Sequence, residues 1–317
     1  MRHLRVFFFG DVERADCLPG NHKAVPLSPT HRTLVKKNGA ESGDMYLTIA
    51  IVLLAICGVL ESRTALAAQA LDAALAAQAL DALVAAYPEV VVSHDGERII
   101  WRDRTIMAAT DGIADKSFKE LLSNASILDQ FRLPYPRGRL TSPPELNADP
   151  GRFRNETFFK KMYGDCRKGG VQARMVSITW LPKSWGKSVQ VTSVNGVAER
   201  LKRVSEEIET LPTEIRKAAY PIAGVLACRP VADTGQMSMH GYGAAIDLNL
   251  VVSDYWLWQK KTDPIPYRNR MPPEIVDIFE RYGFIWGGKW YHYDTMHFEY
   301  RPELLGISGN LFRSGGP

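Results

Sequence analysis

Residues 238–249 read SMHGYGAAIDLN. One imidazole, His240, and one carboxylate, Asp247, stand seven residues apart with two glycines and two alanines between them. Small residues between polar ones mean that the backbone turns tightly or that something must approach it closely. A metal ion is one such visitor. The other donors should then lie elsewhere in the chain, and a second stretch, GFIWGGKWYHYDTMHFEY at 283–300, holds them. Two neutral imidazoles and one carboxylate form a common catalytic zinc shell with its fourth position left for water. The candidates are His240, Asp247 and His297. Asp294, three residues before His297, is placed to accept a proton beside such a site. Arg229, eleven residues before His240, carries a cation that can offset an oxyanion or hold a substrate carboxylate. Glu299 falls on the same strand face as His297. Ser238 and Trp286 are candidates for contact with substrate. His292, between two tyrosines, is read as a bystander at the rim.

The first stretch resembles the Ser-x-His-x-x-Gly-x-Ala-x-Asp signature of the M15 metallopeptidases, with matches at Ser238, His240, Gly243, Ala245 and Asp247. The second is similar to the same family's Trp-Gly-Gly and Asp-x-x-His-Phe-Glu block. Arg229 matches the arginine that precedes the first block, although Pro230 stands where serine is more usual. The resemblance is to the branch of D-alanyl-D-alanine carboxypeptidases and L-alanyl-D-glutamate peptidases, and it covers about residues 220–305. It implies one zinc ion per chain on His240, Asp247 and His297, with Asp294 as general base. It also implies a substrate in the peptidoglycan stem peptide, cut next to a D-amino acid by a D,D- or L,D-carboxypeptidase or an endopeptidase. A second class is a non-catalytic binding module, since hedgehog-type signalling domains share the fold and can keep a zinc site. A third is a structural envelope protein with incidental histidines.

The rest of the chain reads as α+β: a small, mainly antiparallel sheet with flanking helices that carries the zinc site. The direct repeat ALAAQALDA at 65–82 is a strong helix former, and residues 68–92 are expected to be an alanine-rich helical leader. ERIIW at 97–101 and TIMAA at 105–109 read as a hairpin. Residues 132–152, rich in Pro and Gly, predict an extended surface loop. Val194, Val197, Leu201, Val204, Ile208 and Leu211 recur at helical spacing, and residues 273–282 form a second amphipathic segment. Strands are expected at 189–192 and 222–227. Residues 93–219 are an elaboration ahead of the 220–305 core, and 306–317 a tail.

LTIAIVLLAICGVL at 47–60 is too short for a membrane span, which needs about 20 residues, and suits the apolar core of a signal peptide. Residues 45–67 are therefore expected to be a cleaved signal, leaving no stable membrane anchor, and 1–44 an extension upstream of a true start at Met45. An exported chain of this kind would meet peptidoglycan in the periplasm. With that leader removed only Cys166 and Cys228 remain, and an oxidising compartment predicts a disulfide between them. The net charge of +4 is too small to argue for a nucleic-acid partner.

Overall fold

The computed structural model describes residues 69–231, 234–259, 262 and 264–306. The signal segment 45–67, the extension 1–44 and residues 307–317 of the tail lie outside them. The alanine-rich repeat continues into helix α1, Gln69–Ala86, which by length and composition alone could cross a membrane. Its inner side does otherwise. Ala79, Leu80 and Leu83 are fully buried in the main hydrophobic core, and Tyr87 just beyond donates its hydroxyl to Glu303 at 2.6 Å.

Strands β1 (Val91–His94), β2 (Arg98–Trp101) and β3 (Ile106–Ala108) form an antiparallel meander, so the expected hairpin gains a third strand. Helix α2 (Phe118–Ser123) starts with a capping box between Ser117 and Glu120. No helix or strand is assigned across residues 132–152, as their Pro and Gly content predicts. Helix α3 (Glu156–Tyr163) follows, its N-cap Asn155 accepting the Phe158 N–H.

Strands β4 (Met175–Trp180) and β5 (Lys187–Thr192) pair in a second antiparallel sheet. Helix α4 (Val197–Ile208) buries Val197, Leu201, Val204 and Ile208. It starts later than the apolar repeat suggests, because Asn195 (φ 56°) and Gly196 (φ 66°) are left-handed and break the helix there. A short turn of helix, α5 (Thr213–Arg216), comes next.

The third sheet carries the site. Its strands β6 (Ala245–Asp247) and β7 (Phe284–Trp286) flank the central β8 (His297–Tyr300), both antiparallel to it. Helix α6 (Pro273–Arg281) begins at a proline, which suits a first helical turn. It lays Ile275, Val276, Ile278 and Phe279 in the core, with Phe279 stacked on Phe298 at 4.0 Å between ring centres. Helix α7 (Pro302–Leu305) closes the described chain.

The expected strand at 222–227 does not form. Only Gly224 makes a bridge, to Asp247, because the Val225 carbonyl turns aside to His240 instead of joining a ladder. The described residues all belong to one compact unit, and one buried cluster runs from Ala79 to Leu304. Residues 93–219 thus share their core with 220–305. The architecture is mixed α+β with three small antiparallel sheets.

Candidate metal centre

Asp247 and His297 face each other as register partners across β6 and β8. His240 reaches them from a short 3-10 turn, Met239–Tyr242, that precedes β6. The Ser238 hydroxyl caps this turn by accepting the His240 N–H, and Gly243 closes it at φ 65°, a left-handed conformation that glycine adopts freely. The opening stretch is therefore turn, glycine, strand. It folds one imidazole back onto a carboxylate seven residues away.

Three atoms converge: His240 Nε2, His297 Nδ1 and Asp247 Oδ1. Each lies 3.1 Å from the other two. The tautomers follow from the outer contacts. His240 Nδ1 is 2.7 Å from the Val225 carbonyl and must donate to it, so Nε2 carries a lone pair. His297 Nε2 is 2.9 Å from Glu299 Oε2 and donates there, so Nδ1 also turns a lone pair inward. Three lone-pair donors at this separation repel unless a proton or a cation sits among them. Tetrahedral zinc with ligands at ~2.0–2.1 Å sets neighbouring donors about 3.3 Å apart, so the triangle fits a divalent cation. Without a cation a proton takes the place. Burial works against a charged His297, but hydrogen bonds to Asp247 and Glu299 outweigh it and push the imidazole up to about 10.

Asp294 lies beside this triangle. The residue is half-buried, while its Oδ1 is itself buried and has no hydrogen-bond partner. Burial first, then the charge of Asp247, push its carboxyl up to about 7, while His297, His240 and Arg152 pull the other way. Gly287 lets the chain approach there: a Cβ on it would sit 2.6 Å from the Asp294 carbonyl oxygen. A carboxyl near neutrality, with an unpartnered oxygen beside a triangle that could hold a metal, can take and return protons.

Glu299 stands behind His297. Its burial opposes ionisation, yet Arg154, His297 and Arg301 hold the carboxyl well below the usual range. Arg154 and Arg301 both donate to it, and Arg301 continues to Glu303, the acceptor of Tyr87. The imidazole orientation is thus tied through buried charges to the residue that follows α1.

The other sequence candidates fall as follows. Ser238 is buried and holds the His240 turn. Trp286 is buried, donates its indole N–H to the Thr295 carbonyl and stacks near Phe298. Arg229 is exposed, and among the described residues its side chain has no ion pair. Cys166 and Cys228 are joined in a disulfide, compatible with an exported protein. Sequence reasoning missed the loop at 149–154. Buried Asp149 receives the backbone N–H of His292 at 3.0 Å, its Nδ1 at 2.6 Å and Arg152 at 2.9 Å. His292 is therefore fixed by a carboxylate, and the Arg152 charge reaches Asp294. The signal available was DPGRFRN itself, two arginines and an aspartate in an otherwise Pro- and Gly-rich loop.

No curated protein and no solved structure matches the chain. Residues 232–300 match the family described as D-alanyl-D-alanine carboxypeptidase. That span supplies His240, Asp247, Asp294 and His297, and it stops short of Arg229. Every residue of the triangle and its neighbouring acid lies inside the match, so this segment is similar to the D-alanyl-D-alanine carboxypeptidase family.

Proposed function

We propose that the protein is a zinc-dependent peptidase that hydrolyses peptidoglycan stem peptides next to a D-amino acid, as a D,D- or L,D-carboxypeptidase of the periplasm. The observation that carries this reading is the triangle of inward lone pairs with the unpartnered carboxyl of Asp294 beside it. A zinc ion there supplies Lewis-acid polarisation of the scissile carbonyl. The protein does the rest. His240 and His297 are held in the ligating tautomer by the Val225 carbonyl and by Glu299. Asp294 accepts a proton from the attacking water and delivers it to the leaving amine nitrogen, for which a pKa near neutrality suits both directions. Arg229, exposed and eleven residues from His240, offers a guanidinium to negative charge on the substrate. An acid poised for proton transfer has no use in a pure binding module, which favours the enzyme.

The test is metal content and product mass on one preparation. The purified protein should hold about one zinc per chain. His240→Ala and His297→Ala should lose both metal and turnover, while His292→Ala keeps the metal. Muropeptides should lose a terminal alanine. Intact muropeptides after incubation with the zinc-loaded protein would refute the reading.

A further inference from the structure

A polar pocket of about 290 Å³ lies where α2 ends and α3 begins. Its lining includes Ser123, Asn124, Arg154, Thr157, Lys160 and Gln236. Three features give it the chemistry of a carboxylate site. Arg154 is 94% buried by its 6% exposure, and its Nε has no hydrogen-bond partner, only Nη2 being engaged, with Glu299. Lys160 adds a second cation; it pairs with Glu156 at 2.5 Å and stands 4.0 Å from Asp165. The N-terminus of the eight-residue α3 faces the same residues, and among the described residues the N–H groups of Glu156 and Thr157 have no acceptor. Glu156 is the one carboxylate in the lining. It is already engaged, accepting the Met237 N–H at 3.1 Å as well as Lys160. A fourth feature refines the ligand: Gln236 Oε1 is a buried acceptor without a donor. A carboxylate with a neighbouring N–H, as at a peptide terminus or an acidic residue of a peptide, would satisfy both sets.

The pocket is connected to the metal centre by two routes. Arg154 bonds Glu299, which bonds His297, so two hydrogen bonds separate the pocket wall from a proposed ligand. Along the surface, α2 has six residues, about 9 Å at 1.5 Å per residue. At its start Phe118 stacks on His292, two residues before Asp294, and at its end Ser123 lines the pocket. An extended peptide covers ~3.3–3.6 Å per residue, so two or three residues bridge that length.

We infer that this pocket is a carboxylate-recognising subsite, with α2 as the wall along which the substrate peptide runs. The inference deepens the proposed peptidase activity and rests on it for the identity of the ligand. The experiment has a binding arm and a kinetic arm. By calorimetry, N-acetyl-D-alanine should bind the zinc-loaded protein about tenfold tighter than its amide, as one charge-assisted contact allows. Lys160→Gln and Gln236→Ala should remove that preference, and Lys202→Gln, exposed on α4 and not in the pocket lining, should keep it. Equal binding of acid and amide by the wild type overturns the subsite. In the kinetic arm, stem peptides amidated at the C-terminus or at an acidic side chain are compared with the free peptide. A raised KM for one of them identifies which carboxylate the pocket takes. Cleavage with a KM indifferent to both would sink the subsite and leave the peptidase standing. Acid-selective binding without cleavage of any peptide would keep the subsite and remove the peptidase.

Discussion

Asp294 is the residue on which chemistry and stability meet. Its carboxyl is raised to about 7 by burial and by Asp247. Replacing it with asparagine keeps the size and removes the proton acceptor. Zinc should stay bound in Asp294→Asn while turnover falls by about two to four orders of magnitude, the usual share of general acid–base catalysis. The base must be ionised, so wild-type kcat/KM should drop as pH falls through an acid limb at or below 7, since bound zinc pulls the carboxyl down. The limb should vanish in the variant. Stability runs the other way. A carboxyl whose folded pKa exceeds its unfolded value favours the folded state while protonated, and that contribution is lost as pH rises through about 7. Metal-free wild-type protein should therefore lose Tm between about pH 4 and 7 more steeply than Asp294→Asn. Near-normal turnover of the variant would remove Asp294 as the base.

At the scale of elements, β8 decides how well a metal would be held. Its residues are all buried, with His297 and Glu299 on one face and Phe298 and Tyr300 on the other. Glu299→Gln keeps the shape but weakens the contact that fixes the His297 tautomer. Outer partners of this kind are worth about 10- to 100-fold in metal affinity. Competition with a chromophoric chelator should show that loss, with the fold intact by circular dichroism. An unchanged zinc Kd would show that the strand alone orients the ring. Because metal-free His297 is raised to about 10, it carries a proton at neutral pH, and zinc must displace it. Calorimetry in two buffers of different ionisation enthalpy should count about one proton released per zinc at pH 8.

At the scale of the molecule, two ties hold the matched segment to what precedes it. The disulfide joins Cys166, after α3, to Cys228, next to Arg229, across a separation of 62 residues. Chain entropy puts such a closure at roughly 4 kcal/mol. Reduction should lower the unfolding midpoint accordingly, and two reactive thiols per denatured chain would refute the bridge. The second tie is Tyr87, whose hydroxyl fills the last acceptor of the Arg301–Glu303 pair. Tyr87→Phe leaves a buried carboxylate oxygen short of a donor, a loss of about 1–3 kcal/mol. A chemical denaturation curve measures it. Wild-type stability in that variant would mean that α1 and its successor are only loosely attached.

The sequence by itself determined the donors. His240, Asp247 and His297 were legible by residue type and, above all, by the resemblance of their two blocks to a metallopeptidase signature, and the structure brings the three together. The helices at α4 and α6 were legible too, since a 3.6-residue repeat needs only local chain. Tertiary structure decided what no local pattern encodes. Residues 222–227 look like a strand, but the Val225 carbonyl serves His240. The alanine-rich helix reads as a leader, but Ala79, Leu80 and Leu83 are core. Arg152 and Arg154 sit in a Pro- and Gly-rich loop, where charge normally means solvent. Arg154 is buried because Glu299 meets it from 145 residues away, and Arg152 because its neighbour Asp149 is itself pinned by His292, 143 residues on. Pairing of buried charges is a long-range property of the folded chain, so it leaves no period or motif in the sequence.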